Sequence, residues 1–288
     1  MKFRSADTIE EALDALQELG STVQVLAGGT DVMIQLARRE LQPETLLHIE
    51  RLQALKSIQV DGTVRLGALV THLRLAQGEL PAGYAAIVEG ARTVGGWQTQ
   101  AVGTVGGNVC NASPAADIVP PLLVHDAAVT LRSRAGQRTL PLQKFILGRR
   151  STARRPEELL TEIALAPPGQ RTGDVYLKVG RRAAMEIAIV GLAARLAFDE
   201  AGTVSDARIA IASVAPSALR IPAAEAALRG RAPERDALGA AADAILESIS
   251  PIDDIRATAS YRRRVIPQLL RRAVDHCAER AGVQRKGV

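Results

Sequence analysis

The chain has 288 residues and a formal net charge of +5, from 36 basic and 31 acidic residues. Only three tyrosines, three phenylalanines and one tryptophan are present, which leaves few side chains to stack on single-stranded nucleic acid, so we expect no nucleic-acid partner. The two cysteines are too few for an iron–sulfur cluster or a disulfide framework, and no apolar run reaches the roughly 18 residues of a membrane span. The composition therefore predicts a cytoplasmic globular protein with reduced thiols.

The amino-terminal half predicts short helices and strands in alternation. Asp7-Thr8-Ile9-Glu10 resembles a capping box and predicts the start of a helix that has apolar residues on one face and stops at Gly20. A short strand, Val23-Gln24-Val25-Leu26, is followed by a glycine turn and a small helix that starts near Val32. Asp61-Gly62 lies between two apolar runs and predicts a hairpin. Later patterns predict a helix, a second hairpin and a strand, over residues 84–93, 129–140 and 159–165.

Pro167-Pro168-Gly169 is the clearest boundary signal, and it divides the chain into residues 1–168 and 169–288. Beyond it, long apolar stretches predict an antiparallel meander, and helical patterns follow. The stretches cover 174–179, 187–198 and 207–214, and the helices 223–228, 235–248 and 258–281. We expect Pro267 to bend or interrupt the last helix. Strands followed by helices predict an α+β domain with one sheet against a helical layer.

The segment Ala27-Gly28-Gly29-Thr30-Asp31 falls between the short strand and its helix. Free backbone amides at such a helix start favour a phosphate group. The segment is neither the three-glycine fingerprint of dinucleotide-binding folds nor a phosphate loop with lysine and serine or threonine. Because glycine pairs are also common turn formers, a turn without a ligand is an equal alternative.

A second glycine-rich segment has five glycines from Gly95 to Gly107, includes the motif Thr104-Val105-Gly106-Gly107-Asn108, and runs on to Asp117. Such a flexible stretch costs stability unless a ligand or another backbone must approach closely. Asp117 could cap a helix starting at Ile118, or accept hydrogen bonds from a ligand. Together, the two segments predict turns whose amides bind a long diphosphate cofactor from both sides.

These motifs, in this order, resemble the FAD-binding subunit of the molybdenum hydroxylases, such as xanthine dehydrogenase and carbon monoxide dehydrogenase. The resemblance continues through residues 176–182, 186–190 and 260–262, so it covers nearly the whole chain. It implies a PCMH-type FAD-binding domain of two α/β subdomains, followed by a flavoprotein carboxy-terminal domain of an antiparallel sheet plus helices. The chain departs from many relatives at Gln100-Ala101, where they have arginine and asparagine.

The resemblance also implies FAD extended between the two subdomains, with its diphosphate against the first glycine segment. The implied contact residues are Gln24, Val25, Leu26, Ala27, Gly28, Gly29, Thr30, Asp31 and Val32 in the first segment, Thr104, Gly107 and Asn108 in the second, Ser113 and Asp117 after it, and Val94, Leu160 and Lys178 elsewhere. Lys178 would lie near the flavin and stabilise its reduced, negatively charged ring. The pattern alone favours a surface lysine there. No residue of this chain is expected to act as a catalytic acid or base, or to ligate a metal.

The resemblance implies a flavoprotein oxidoreductase subunit within a larger complex. A small subunit with two iron–sulfur clusters and a large molybdopterin subunit would be its partners, in a dimer of heterotrimers. Electrons would reach FAD on this chain and leave to NAD+ or another acceptor. Two alternatives stay open: a stand-alone flavin-dependent oxidase of the same broad fold, and a nucleotide-sensing module without redox chemistry.

Overall fold

The computed structural model describes residues 1–283. The first subdomain contains, in chain order, β1 (Lys2–Ser5), α1 (Ile9–Leu19), a 3-10 turn (Gly20–Thr22), β2 (Val23–Leu26), α2 (Val32–Ala37), β3 (Thr45–His48) and a second 3-10 turn (Gln53–Lys56). Its strands form a parallel sheet in the order β1-β3-β2. Helix α1 starts within the predicted segment 7–10, and its cap is Thr8, whose hydroxyl accepts a hydrogen bond from the Glu11 amide at 3.2 Å.

The second subdomain is built around an antiparallel sheet. Its elements are β4 (Ile58–Val60), β5 (Val64–Gly67), α3 (His72–Ala76), α4 (Ala85–Thr93), α5 (Trp97–Val102), α6 (Val105–Asn111), α7 (Val119–Val124), β6 (Ala128–Ser133), β7 (Gly136–Pro141), α8 (Leu142–Phe145), β8 (Ile146–Gly148), β9 (Ser151–Thr152) and β10 (Leu159–Leu165). The sheet order is β4-β5-β10-β6-β7, and β8 pairs with β9 in a separate hairpin. Both predicted hairpins, β4-β5 and β6-β7, are confirmed.

The carboxy-terminal part is the predicted antiparallel meander followed by helices. It comprises β11 (Thr172–Val179), β12 (Val190–Phe198), β13 (Val204–Ala212), β14 (Leu219–Arg220), α9 (Pro222–Leu228), α10 (Arg235–Ser248) and α11 (Ala259–Arg280). The strands pair in sequence order. Helix α11 runs through Pro267 without interruption, so of the two expected effects of this proline the interruption is wrong. In the part of the chain that the structure describes, no helix is long and apolar enough to cross a membrane.

The carboxy-terminal sheet is covered on both faces. Helices α9 and α11 contact its strands, and so do α4 and α7 of the second subdomain. Tyr176, Ala193 and Ala210 of this sheet belong to the same hydrophobic cluster as the core of the second subdomain. The two parts therefore share a core, and this fixes the position of β11 relative to the second subdomain.

A buried carboxylate ties the two parts together. Asp174, at the start of β11, is 1% exposed and accepts hydrogen bonds from the amides of Ala85 and Ala86, at 3.2 and 2.8 Å, at the start of α4. The Nε2 of His125 lies 2.9 Å from the same carboxylate. Burial raises the pKa of Asp174, but the hydrogen bonds from His125 and the Ala86 amide outweigh it, and the pKa lies below its ordinary value.

Candidate functional site

A cavity of about 740 Å³ opens between the two amino-terminal subdomains. Its walls come from residues 24–41 and 49 of the first subdomain, residues 68–72, 94–117 and 150–160 of the second, and residues 185–187 of the carboxy-terminal part. This volume lies within the range of small-molecule and cofactor sites. Three parts of the chain that are distant in sequence thus meet around one space.

The structure brings nearly all of the predicted site residues to this cavity. The lining residues among them are Gln24, Val25, Ala27, Gly28, Gly29, Thr30, Asp31, Val32, Val94, Thr104, Gly107, Asn108, Ser113, Asp117 and Leu160. Leu26 is buried on β2, where its side chain lies under Gly29. Lys178 reaches the region from β11 through Asp117 rather than by lining the cavity itself.

The two glycine segments lie in direct backbone contact with each other. A Cβ added to Gly28 would lie 1.7 Å from the carbonyl oxygen of Val102, at the end of α5. The next residue, Gly29, has a φ of +73°, in the left-handed region that favours glycine. Glycine at position 28 is therefore required by the close crossing of two chain segments, whether or not a ligand is bound.

Backbone amides are available in the first segment. Those of Gly28, Gly29 and Thr30 find no hydrogen-bond acceptor within residues 1–283. All three residues line the cavity, immediately ahead of α2. A row of unsatisfied amides at a cavity wall is a site for an anion such as a phosphate group.

The amides of Val105, Gly106, Gly107 and Asn108 in the second segment are already bonded within the protein, contrary to the expectation of a second amide-lined turn. Residues 105–111 form helix α6, capped by the hydroxyl of Thr104, which accepts from the Gly107 amide at 3.0 Å. The amide of Gly106 donates to the carbonyl of Ala68 at 2.9 Å. What this segment offers a ligand is side chains, and the Oδ1 of Asn108 is buried without a partner among the described residues. An unpaired buried polar atom of this kind is costly, so a ligand group that pairs with it gains affinity.

Asp117 is engaged by the carboxy-terminal part, and it does not cap α7. Its Oδ1 accepts from the hydroxyl of Tyr176 and its Oδ2 from the Nζ of Lys178, both at 2.7 Å. Burial raises the pKa of Asp117, while Lys178 and Tyr176 lower it to a smaller extent. Lys178 also donates to the carbonyl of Thr93 at 2.9 Å. The ammonium group is therefore paired with a carboxylate, and it holds the chain just ahead of Val94 at the cavity wall.

Several residues around the cavity were missed from the sequence. Met185 and Ile187 belong to the loop after β11, and Met185 has a φ of +52° and lies against Gly96. Arg150 forms an ion pair with Glu40 at 2.6 Å, which joins the β8-β9 hairpin to the first subdomain beside the cavity. Only the run that contains Ile187 carried a sequence signal, as part of the family resemblance.

Gln100 explains one departure from the family pattern. Its side chain is buried, and the Nε2 donates to the carbonyl of Arg92 at 2.9 Å, in the last turn of α4. Gln100 therefore satisfies a carbonyl at a helix end, where unpaired carbonyls occur.

Among residues 1–283, no group of three or more histidine, cysteine, aspartate or glutamate side chains could hold a metal ion.

Comparison with known families agrees with this architecture. A family model described as "FAD binding domain in molybdopterin dehydrogenase" matches residues 1–167, and one described as "CO dehydrogenase flavoprotein C-terminal domain" matches residues 175–277. The chain thus has a FAD-binding domain and a flavoprotein carboxy-terminal domain. It belongs to the family of FAD-binding subunits of the molybdopterin dehydrogenases, as its motifs indicated.

Individual relatives match over almost their full length. The chain is 28% identical to the xanthine dehydrogenase FAD-binding subunit of Escherichia coli O157:H7, over 97% of each protein. It is 31% identical to the carbon monoxide dehydrogenase medium chain of Hydrogenophaga pseudoflava, over 95% of this chain and 96% of that protein. A solved carbon monoxide dehydrogenase from Hydrogenophaga pseudoflava superposes with a TM-score of 0.91 at 32% identity, covering 97% of this chain and 98% of that chain.

Proposed function

We propose that this chain binds FAD in the cavity between its two subdomains and serves as the electron-transferring subunit of a molybdenum-containing hydroxylase or dehydrogenase complex. The unbonded amides of Gly28, Gly29 and Thr30 at the cavity wall carry this proposal, because they fit the diphosphate of FAD. The unpaired Oδ1 of Asn108 adds a second polar contact. When bound, FAD supplies the redox chemistry, accepting and releasing one or two electrons.

The predicted contact residues remain part of this proposal, with one change of role. Residues 24–32 would surround the diphosphate of FAD. Asn108 and Ser113 would contact polar groups of the cofactor next to the diphosphate. Val94 and Leu160 would form an apolar part of the cavity wall. Lys178 would act through Asp117 and the Thr93 carbonyl, since its ammonium group is already paired. It would fix the wall of the site rather than place a free positive charge beside the flavin.

We also propose that the domain boundary lies between residues 168 and 169. Strand β10 ends at Leu165 and β11 begins at Thr172, so the boundary falls in the connection between two sheets. We propose a cytoplasmic location for the same chain. Both cysteines are free thiols, and a reducing compartment such as the cytoplasm favours that state.

The partners are proposed from the relatives. Those relatives are named as a FAD-binding subunit and a medium chain, terms for components of larger assemblies. By analogy, an iron–sulfur small subunit would deliver electrons to this chain, and a molybdopterin large subunit would bind the substrate, in a dimer of heterotrimers. NAD+ or another acceptor would remove the electrons.

Titration of the purified chain with FAD tests the proposed binding of this cofactor. We expect a stable yellow complex with a flavin spectrum, and competition by ADP, which shares the diphosphate. FMN lacks the second phosphate and the adenosine, so it should bind more weakly. A chain that stays colourless in excess FAD would overturn the proposal.

Purification of the native complex tests the proposed partners and the electron acceptor. Molybdenum and iron should co-elute with this chain in constant proportion, together with a small and a large subunit. Reduction of NAD+, oxygen and dyes by the complex would identify the acceptor. A flavin-loaded chain that elutes alone and oxidises small alcohols would favour the stand-alone oxidase instead.

A further inference from the structure

His72 lies buried beneath the place where the two glycine segments meet. It is 1% exposed, is the first residue of α3, and belongs to the residues that line the cavity. The His72 amide donates to the carbonyl of Gly103 at 3.0 Å, and the neighbouring Thr71 pairs with Thr104 across an isolated bridge. The backbone around His72 is therefore fixed by its hydrogen bond to Gly103 and by the bridge to Thr104, beside the cavity.

The Cδ2 edge of the His72 ring and the hydroxyl of Thr30 both border the space beside Gly103. A Cβ added to Gly103 would lie 3.3 Å from the Cδ2 of His72 and 3.6 Å from the hydroxyl oxygen of Thr30. Cδ2 is bonded to Nε2, so this nitrogen lies close to the space beside Gly103 that Thr30 also borders. The absence of a side chain at Gly103 leaves room between the imidazole and the Thr30 hydroxyl.

The other ring nitrogen determines which tautomer is preferred. The Nδ1 of His72 is fully buried and has no hydrogen-bond partner among the described residues. An unpaired buried N–H group is rarer than an unpaired acceptor, so the proton belongs on Nε2. Burial lowers the pKa of His72 to about 4, and the ring is therefore neutral at physiological pH.

We propose that His72 is a neutral hydrogen-bond donor to the cofactor, with its Nε2–H directed at a diphosphate oxygen beside Thr30. This inference rests on the proposed binding of FAD in the cavity. The Thr30 amide also lacks an acceptor, and in this proposal the imidazole and the amide bind the same anionic group. His72 would therefore contribute a directed hydrogen-bond donor and would add no positive charge.

The melting temperature of the His72→Leu apoprotein separates the proposed role of the imidazole from a purely structural one. His72→Leu removes a buried polar atom that has no partner, so the melting temperature of the apoprotein should stay equal or rise. If the ring only filled space or supported the fold, the melting temperature should fall. The same variant should bind both FAD and ADP about tenfold more weakly or worse, because a hydrogen bond to a charged group is lost. Riboflavin, which has no phosphate, should be unaffected.

His72→Gln and His125→Leu complete the test. Glutamine retains a donor and should bind FAD more tightly than the leucine variant does. His125 is equally buried but pairs with Asp174 at the junction with the carboxy-terminal part, so His125→Leu should lower the melting temperature without a selective loss of ADP binding. Calorimetry in buffers of different ionisation enthalpy should show no proton uptake by His72 at neutral pH.

The failures of the two proposals are distinguishable. If the unaltered chain does not bind FAD, the proposed function itself is wrong. If the unaltered chain binds FAD while His72→Leu and His72→Gln bind FAD and ADP equally well, the role of His72 is overturned. Uptake of about one proton on binding that is lost in His72→Leu would overturn the neutral donor, since the ring would then bind as a cation.

Discussion

Replacing Gly28 by alanine tests the contact on which the cavity depends. The new Cβ would lie 1.7 Å from the Val102 carbonyl oxygen, half of the 3.4 Å at which ordinary van der Waals contact begins. It would also lie 2.5 Å from the carbonyl carbon. Both are backbone atoms, so no side-chain rotation relieves the overlap, and the two glycine segments must move apart.

The size of the effect follows from this overlap. Overpacked sites cost typically 1–3 kcal/mol, and a rigid backbone neighbour places Gly28→Ala at the upper end, about 3 kcal/mol. If the segments separate locally instead, the Gly28 and Thr30 amides move away from Asn108 and His72. In that case the same energy would appear as a loss of FAD affinity of roughly 100-fold.

Gly239→Ala provides a matched control. Gly239 lies inside α10, and a Cβ there would meet no atom within 4 Å. The same chemical change should therefore stabilise the protein by about 0.5–1 kcal/mol, because alanine favours a helix interior. Urea unfolding followed by circular dichroism, together with FAD titration, measures both variants. If Gly28→Ala were as stable as the unaltered protein and bound FAD equally well, the described crossing of the two segments would be wrong.

Three further changes test the remaining features. Asn108→Asp places a negative charge beside the proposed diphosphate, so FAD affinity should fall at least about tenfold at low salt and recover partly at high salt, as calorimetry would show. Asp174→Ala leaves the amides of Ala85 and Ala86 unpaired, and urea unfolding should show a loss of about 3–5 kcal/mol; a change below 1 kcal/mol would contradict the buried junction. The pKa of His72 is about 4 in the folded chain and 6.5 in its ordinary state, so the unfolded chain binds more protons between these values and stability falls as pH falls. From pH 7 to pH 5 this histidine should cost about 2 kcal/mol, and the pH dependence of His72→Leu should be smaller by that amount.

Elements with local signals were predictable from the sequence. Thr8 caps α1, Asp61-Gly62 forms the turn between β4 and β5, and the apolar stretches after residue 169 form the meander. These signals act between residues only a few positions apart, so they depend little on the rest of the fold. The interruption expected at Pro267 is an exception, because the rest of α11 packs along the sheet and this packing outweighs the local cost of a proline.

The position of the glycine motifs was also evident from the sequence, but their chemical roles were not. In the first motif the amides stay free, whereas in the second the carbonyls of Ala68 and Val70 and the hydroxyl of Thr104 accept them. Both motifs are equally rich in glycine. Whether an amide is free depends on acceptors that the fold brings from other segments, and glycine content does not report on them.

By itself, the sequence determined the family, the elements that carry local signals, and many of the residues that line the cavity. Only the tertiary structure decided that Gly28 crosses Val102, that Asp117 pairs with Lys178, and that His72 lies beneath the junction. Asp117 and Lys178 are 61 residues apart, and neither segment contains a local sign of the other. Side chains distant in sequence acquire their partners, their burial and their protonation state only when packing removes water from between them.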